Sequence, residues 1–272
     1  MMNLARYLLY YYRTHVSVCW SIRVIKRQGW TILEVAARQM SAFVIRMLTI
    51  RRELAIELQR FILLWRYQHH VPPFALWWRL VLKRCLDLAG SAAGLLMVAP
   101  LVPFIALAIK LTSKGPILYS QERVGRFGDA FKIYKFRSMR LDAEANGPVW
   151  ASGEGDPRLT PIGGFLRSSH LDELPQLVNV LVGQMSLVGP RPERPHFVGN
   201  LHENIPGYHR RLLLKPGLTG LAQVHYRYDA SMADVRRKLR YDLLYVKRMC
   251  LTLDIRILAW TLLVCTTGRG IR

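Results

Sequence analysis

The chain opens with apolar residues at helical spacing that arginines interrupt repeatedly. In residues 1–80, 12 Lys/Arg stand against 3 Asp/Glu, a net of +9, and no window reaches the roughly 20 apolar residues that a spanning helix needs. Segments such as "LARYLLYYYR" and "ELAIELQRFILLWRYQ" predict amphipathic helices lying in a bilayer interface. A helical bundle packed on itself or on a partner fits the same pattern. The Pro-Pro break in "HHVPPFALWWR" predicts a linker that closes this region.

Residues 81–114 contain the one segment apolar enough to enter a membrane core. Between Asp87 and Lys110 lie 22 uncharged residues, nominally enough to cross. Pro100 and Pro103 interrupt the middle, where each removes a helix hydrogen bond and favours a bend. Basic residues flank both ends, so the positive-inside rule places both ends on the cytoplasmic side. The pattern predicts a helix–break–helix that dips into the membrane and returns; a buried hairpin of a soluble protein is the alternative.

Residues 115–272 have the pattern of a folded α+β domain. "PILYSQERVG" and "FKIYKFRSM" predict two short strands joined by the turn "GRFGD", and "GPVWASGEGDPRLTPIGG" predicts a loop. Helices are predicted over 172–183, 193–204 and 232–249, and "LDIRILAWTLLVCTTGRG" predicts a further apolar helix. The predicted fold class is therefore α+β, mostly helical, with a small β-hairpin.

The composition of the chain narrows the classes of molecule that it can bind. The 272 residues are 51% hydrophobic, enough for a core, and carry a formal net charge of +21, which calls for a polyanionic partner. Nucleic acid, an anionic membrane surface and phosphate-bearing substrates all fit that charge. Seven Trp and twelve Tyr favour the membrane, because aromatic and basic side chains collect at its interface. No nucleic-acid-binding motif is recognisable, which argues against nucleic acid.

Two adjacent carboxylates, Asp172 and Glu173, precede an apolar helix pattern. Pro175 is tolerated only in the first turn of a helix, so the helix is predicted to begin near Asp172 and to end at Gly183. Both carboxylates then lie at a helix N-terminus, where the dipole favours negative charge. Adjacent residues point in different directions, so one carboxylate could act as nucleophile or metal ligand and the other as base. Simple helix capping is the alternative.

Cations surround this pair along the sequence. Arg191 lies between two prolines on a stiff backbone, and its guanidinium fork suits a phosphate. Two carboxylates among many cations indicate a Mg²⁺-assisted reaction at a phosphate, because carboxylates hold the ion and cations hold the oxygens. The other cations near the pair are Lys132, Lys135, Arg137, Arg140, Arg158, Arg167 and Arg194.

Five motifs identify a family. "KRCLDLAGS", "GPILYSQERVGRFGDAFKIYKFRSM", "DPRLTPIGGFLRSSHLDELPQLVNVLVGQMSLVGPRP", "KPGLTGLAQV" and "YDLLYV" follow in that order over about residues 81–272. They resemble the bacterial sugar transferase family, the monotopic polyprenyl-phosphate phosphoglycosyl transferases. The resemblance implies transfer of a sugar-1-phosphate from a UDP-sugar to undecaprenyl phosphate, with release of UMP, at the start of exopolysaccharide, capsule, O-antigen or glycoprotein glycan assembly. It does not extend to residues 1–80, a basic amphipathic region of unknown role.

The resemblance also implies a location and an organisation. It implies a membrane-associated monotopic catalytic domain at the cytoplasmic face of the bacterial inner membrane. In that domain 81–114 re-enters among the membrane phospholipids with its break at Pro100, 115–272 forms the phosphoglycosyl transferase domain, and the terminal helices are interfacial. A homo-oligomer is compatible with it. A catalytically inactive membrane scaffold of the same fold and a basic nucleic-acid-binding protein are the alternative functions.

The resemblance assigns roles to individual residues. Asp172 is expected to attack the sugar-bearing phosphate, to form a covalent phospho-sugar intermediate and to contact Mg²⁺. Glu173 is expected to assist attack by the polyprenyl phosphate. The sequence departs from the family at "HYRYDAS", where many members have Asn-Gly-Arg-like residues, and at His170, where small hydroxyl residues are common. The cations that match phosphate-binding positions are Lys135, Arg137, Arg167, Arg191 and Arg123.

Overall fold

The protein divides into two units, Met1–Leu58 and Gln59–Arg272. The structure, a computed structural model, describes residues 30–145, 156–226 and 232–267. The described part of the first unit is the beginning of helix α1 (Trp30–Tyr67), which exposes apolar side chains such as Phe43 and Leu54. The interfacial helix predicted at "LARYLLYYYR" lies outside the described residues.

The second unit continues with the long apolar helix. Helix α2 (Pro73–Val98) begins with a proline in its first turn, where the missing N–H costs nothing. A 3-10 turn, Ala99–Leu101, interrupts the helix at the predicted position of Pro100, and helix α3 (Val102–Thr112) follows. The helical segment thus begins earlier than the predicted 81. It is the one segment of the described residues with the length and composition of a membrane span.

The two ends of this segment pack on the protein, and one side of its middle is exposed. Ile105 and Ile109 of α3 are buried in a cluster with Phe136 and Leu166, while Lys83, Asp87 and Ser91 of α2 are also buried. Between them, the most exposed apolar side chains are Leu96 (77%), Met97 (76%) and Phe104 (71%).

The predicted hairpin is confirmed. Strand β1 (Leu118–Val124) pairs antiparallel with β2 (Ala130–Phe136), and the register places Tyr119 opposite Lys135. At the tip, Phe127 adopts the left-handed conformation with φ 58°, which non-glycine residues rarely do.

The rest of the unit is mostly helical, as predicted, with one short parallel strand pair that the sequence pattern does not reveal. The helices predicted over 193–204 and 232–249 and at the C-terminus are confirmed. The elements in order are α4 (Gly163–Ser168), a 3-10 turn (Leu171–Glu173), α5 (Gln176–Val182), β3 (Ser186–Val188), α6 (Pro195–Asn204), a 3-10 helix (Tyr208–Leu213), β4 (Gly217–Thr219), α7 (Leu221–His225), α8 (Met232–Arg248) and α9 (Leu251–Thr267).

The core of this unit forms where α2 meets α5 and β3. A Cβ on Gly94 would lie 3.0 Å from Leu177 of α5, and one on Gly90 would lie 2.5 Å from Leu187 of β3. A larger residue at either position would require these leucine side chains to shift. Leu177 and Leu187 belong to one buried cluster that also contains Tyr245 of α8. The packing therefore fixes α5, and with it the turn that carries the two carboxylates.

Candidate active site

The two carboxylates lie in a tight turn rather than in the helix. His170 has a φ of 58°, and the 3-10 turn Leu171–Glu173 follows it directly. Pro175 is the N-cap of α5, and no side chain caps this helix. The predicted start near Asp172 is therefore displaced to Gln176, because the left-handed residue and the proline tighten the chain between them. The capping alternative is not supported.

Glu173 is held by two cations. Lys135 Nζ donates to its Oε1 at 2.6 Å, and Arg191 donates from Nη2 to Oε1 at 2.6 Å and from Nη1 to Oε2 at 3.3 Å. Burial alone would raise the pKa of Glu173, but the charges and hydrogen bonds of Arg191 and Lys135 outweigh it and hold the pKa well below its ordinary value. Glu173 is therefore ionised at neutral pH.

Asp172 differs from Glu173 in its hydrogen bonding and in the direction of its pKa shift. It is 6% exposed, and no described residue donates a hydrogen bond to its carboxylate. Burial raises the pKa of Asp172 to about 6; Lys135, Arg191 and Arg167 oppose the shift, and the charge of Glu173 adds to it. A desolvated carboxylate without hydrogen bonds suits a nucleophile or a metal ligand, because no bond must be broken before it reacts.

Asn179 fixes Lys135 against the turn. Its fully buried side chain accepts a hydrogen bond from Tyr134 N at 3.3 Å and donates to Lys132 O and to Gln184 Oε1, both at 2.8 Å. These bonds join α5 to β2. The strand that carries Lys135 and the helix that follows Glu173 therefore hold each other in register.

The segment carrying Arg191 is fixed from behind by Arg211. This buried arginine donates from Nε to Asp242 Oδ2 at 2.8 Å and from Nη1 to Tyr208 Oη at 2.9 Å. Its remaining nitrogen, Nη2, donates to the backbone carbonyl of Arg191 at 2.9 Å. Arg211 thus links α8 to the backbone from which Arg191 reaches Glu173.

Lys83 fixes the other end of the same segment. Its ammonium donates to Val188 O at 2.8 Å, and to Tyr245 Oη and Asp254 Oδ2 at 2.9 Å each. Tyr245 in turn donates to Asp254 Oδ1 at 2.6 Å. All three ammonium protons are used, which is how a buried charge is tolerated. Helices α2, α8 and α9 thereby meet at the strand that leads to Arg191.

Arg123 supports the Pro-Arg-Pro segment rather than the carboxylates. It donates to Pro192 O at 3.1 Å and to Gln121 Oε1 at 2.6 Å, and burial lowers its pKa to about 10. The predicted phosphate-binding role of Arg123 stays a prediction.

Arg137 and Arg167 occupy different surroundings. Arg137 is buried and donates to Ser113 O and Lys114 O at 2.9 and 2.6 Å, so it secures the joint after α3. This geometry does not support its predicted role as a phosphate ligand. Arg167 lies 4.0 Å from Asp156 and adds positive charge near Asp172. The turn therefore gathers Asp172, Glu173, Lys135 and Arg191, with Arg167 nearby.

Asp242 was not predicted as a site residue, although the apolar pattern of α8 points to it. Val235, Leu239, Asp242 and Val246 follow each other at spacings of four, three and four, and all are buried. A carboxylate on the apolar face of a helix needs a buried partner, which is Arg211.

The donor set limits how a metal ion can bind. Within the described ranges, no group of three or more His, Cys, Asp or Glu residues could hold a metal. Mg²⁺ commonly takes one or two protein carboxylates and completes its octahedron with water and substrate phosphates. The unbonded carboxylate of Asp172 fits such a shared ion, whereas an all-protein site does not fit.

The chain is similar to a known protein family and to several named proteins. A family model described as bacterial sugar transferase matches residues 78–268. An Aeromonas hydrophila protein named UDP-N-acetylgalactosamine-undecaprenyl-phosphate N-acetylgalactosaminephosphotransferase is 41% identical over 191 residues, which are 70% of this chain and 45% of that protein. The exopolysaccharide production protein PSS of Rhizobium leguminosarum bv. phaseoli is 43% identical over 200 residues, 70% of this chain and 98% of that protein.

A third relative has a different named sugar. The UDP-glucose:undecaprenyl-phosphate glucose-1-phosphate transferase of Klebsiella pneumoniae is 41% identical over 184 residues, 67% of this chain and 39% of that protein. The chain thus spans less than half of the Aeromonas and Klebsiella proteins but nearly all of the Rhizobium one. Since the matched region contains all four residues gathered at the turn, this chain belongs to the bacterial sugar transferase family.

Proposed function

We propose that the protein transfers a sugar-1-phosphate from a UDP-sugar to undecaprenyl phosphate and so begins the assembly of a polysaccharide. The names of its relatives give the reaction class. The observation that carries the proposal is the contrast within the turn. Asp172 is buried and accepts no hydrogen bond from the described residues, whereas Glu173 is ionised between Lys135 and Arg191.

The proposed reaction has two displacements at one phosphorus atom. A carboxylate oxygen of Asp172 attacks the sugar-bearing phosphate, the bond to the other phosphate breaks, and UMP leaves with the bonding electrons. An oxygen of undecaprenyl phosphate then attacks the phospho-aspartyl group. This releases Asp172 and forms undecaprenyl diphosphate sugar. Glu173 accepts the proton of the attacking phosphate, while Lys135 and Arg191 offset the charge on the phosphate oxygens.

A Mg²⁺ ion is part of this proposal. Asp172 would hold it together with the donor's phosphates. When bound, the ion supplies positive charge that neutralises the diphosphate.

We also propose that the segment from α2 to α3 dips into the cytoplasmic leaflet of the inner membrane and returns. Both ends of the segment pack on the same unit, and the apolar side chains between them are exposed. The exposed side of α2 continues as apolar residues toward its start, through Leu88, Leu82 and Trp78. A membrane-embedded middle would cover this surface.

Single cysteines test this topology in a variant whose four native cysteines are replaced by serine. His70→Cys and Thr112→Cys flank the segment, and a re-entrant path places both on the cytoplasmic side. We expect an impermeant maleimide to label both in inverted vesicles and neither in intact cells. Met97→Cys, at the exposed middle, serves as the control that stays unlabelled from either side. Labelling of Thr112→Cys alone in intact cells would establish a crossing instead.

The function itself is tested with purified full-length chain, Mg²⁺, undecaprenyl phosphate and a panel of UDP-sugars. The expected result is UMP release that requires one donor, the lipid phosphate and the ion, and that EDTA stops. Intact-mass measurement without the lipid acceptor should show one phospho-sugar added to the protein. If no donor yields UMP, the protein is an inactive scaffold of this fold.

A further inference from the structure

A second cationic site lies beside the 3-10 helix Tyr208–Leu213. A cavity of about 720 Å³ is lined there by five basic side chains: Arg66, His69, His209, Arg210 and Lys247. No acidic residue is among the described residues that line it. Like charges that share a cavity repel one another, so the arrangement is favoured once an anion occupies it.

This cavity is separate from the carboxylate turn. Arg210 and Arg211 are neighbours in the 3-10 helix but serve opposite sides of it. Arg211 is buried against Asp242 and holds the Arg191 backbone, whereas Arg210 lines the cavity. Among the described residues, none forms an ion pair with Arg210, and the same is true of Arg66 and Lys247.

One wall of the cavity comes from outside the region that the family model matches. Leu63, Arg66, Tyr67 and His69 line the cavity, and they precede the matched region, residues 78–268. The catalytic domain shared by the family therefore does not build this site alone.

The rest of the lining is apolar. Leu63, Leu213 and the Phe127 ring contribute to it. The guanidinium carbons of Arg60 and Arg126 lie 5.1 and 4.8 Å from the centre of that ring and so hold the hairpin tip in its left-handed conformation. Cations beside apolar walls suit an amphiphile better than a fully hydrated anion.

The position along the chain favours a lipid. Four residues after His69 comes the start of α2, where Phe74, Trp77 and Trp78 are exposed. Exposed aromatic side chains of this kind collect at the headgroup level of a bilayer.

We propose that this cavity binds the headgroup of an anionic phospholipid. Arg66, Arg210 and Lys247 contact the phosphate and other headgroup oxygens, and Leu63 and Phe127 contact the carbon atoms next to it. The inference rests on the membrane attachment proposed above, but it does not depend on the transfer reaction.

The test compares two triple variants of the full-length chain in nanodiscs of equal phosphatidylglycerol and phosphatidylcholine. Arg66→Gln/Arg210→Gln/Lys247→Gln removes three charges from the cavity. Arg46→Gln/Arg51→Gln/Arg52→Gln removes three charges from exposed positions of α1. Native mass spectrometry then counts the lipids of each class that each protein retains.

We expect the cavity variant to lose its preference for phosphatidylglycerol at least about tenfold, because three charge-assisted contacts to the bound headgroup are lost. The α1 variant should keep most of the preference. Equal losses in both variants would mean that net charge alone attracts the lipid, and would overturn the site. If the cavity variant loses both lipids, the single variants Arg66→Gln and Arg210→Gln are tested for their ratio of phosphatidylglycerol to phosphatidylcholine. Each should lower the ratio by about fivefold, and an unchanged ratio in both also overturns the site.

Two further arms separate the alternatives. The first measures the unfolding temperature of the parent protein in neutral detergent, with inorganic phosphate or with phosphatidylglycerol. If phosphate raises that temperature as much as the lipid does, the cavity binds a soluble anion, and the proposed lipid site is wrong. UMP release by the cavity variant in neutral detergent should equal that of the parent. A parent that retains phosphatidylglycerol selectively but releases no UMP would refute the proposed function and support the lipid site.

Discussion

Replacing Asp172 with Asn is expected to abolish turnover and, at pH 7, to stabilise the fold. Loss of a covalent nucleophile lowers kcat by about a thousandfold or more, and the phospho-sugar adduct should disappear from the intact mass. Stability should rise because burial raises the pKa of Asp172 from 3.8 to about 6, so ionising this carboxylate costs free energy in the folded state. One pKa unit corresponds to about 1.4 kcal/mol, which gives a gain of roughly 1–3 kcal/mol.

The pH dependence of this gain follows from the direction of the shift. Between about pH 4 and 6 the folded parent binds a proton that the unfolded chain has already lost, so the parent loses stability as the pH rises through that window. The Asn variant does not titrate there. The difference in unfolding free energy should therefore be complete above about pH 6 and absent below about pH 4. Chemical denaturation of both proteins across this range measures it.

Glu173→Gln is the matched control, one residue away and with the same change in chemistry. Lys135 and Arg191 lower the pKa of Glu173, so this carboxylate stabilises the fold above its ordinary pKa of about 4.5, and its replacement should destabilise the protein at pH 7. Transfer to the lipid should slow as well. An Asp172→Asn variant that still turns over would show that the nucleophile lies elsewhere.

Replacing Arg211 should damage both the fold and the site. Arg211→Gln leaves the buried Asp242 carboxyl without its partner, and breaking a buried pair costs about 3–5 kcal/mol. It also removes the donor to the Arg191 carbonyl, which frees the segment that carries Arg191. We expect the KM for the UDP-sugar to rise by about tenfold. Arg240→Gln, an exposed change on the same helix as Asp242, should alter neither property.

A double variant separates these two roles of Arg211. In Arg211→Met/Asp242→Leu no buried charge is left alone, and apolar replacement of a buried pair is often neutral. Stability should therefore recover while the KM stays high, because the Arg191 carbonyl still lacks its donor. Arg211→Lys should recover part of both. A normal KM in the double variant would make the pair purely structural.

The β-hairpin and its connecting turn could be predicted from the sequence because both depend on local patterns. Alternation in "FKIYKF" and the turn residues of "GRFGD" specify β1 and β2 without reference to the rest of the chain. The link from Arg211 to Arg191 was not predictable in this way, since their contact spans 20 residues and Asp242 lies 31 residues further on.

Arg137 illustrates the limit of local reasoning. Arg137 was a candidate phosphate ligand because it matches a family motif, and strand alternation places residues 135 and 137 on one face. The strand ends at Phe136, however, and the carbonyls of Ser113 and Lys114 lie within reach of the next side chain. Whether a cation faces a substrate or a backbone carbonyl depends on where a distant helix ends.

The contacts of Lys135 and Arg191 with Glu173 would impose an order on the steps of the proposed reaction. Lys135 and Arg191 keep this carboxylate a very weak proton acceptor for as long as they contact it. A diphosphate that draws both cations to its own oxygens would weaken their contacts with Glu173, and the proton affinity of Glu173 would then rise. Glu173 would thus become an effective base only after the donor has arrived.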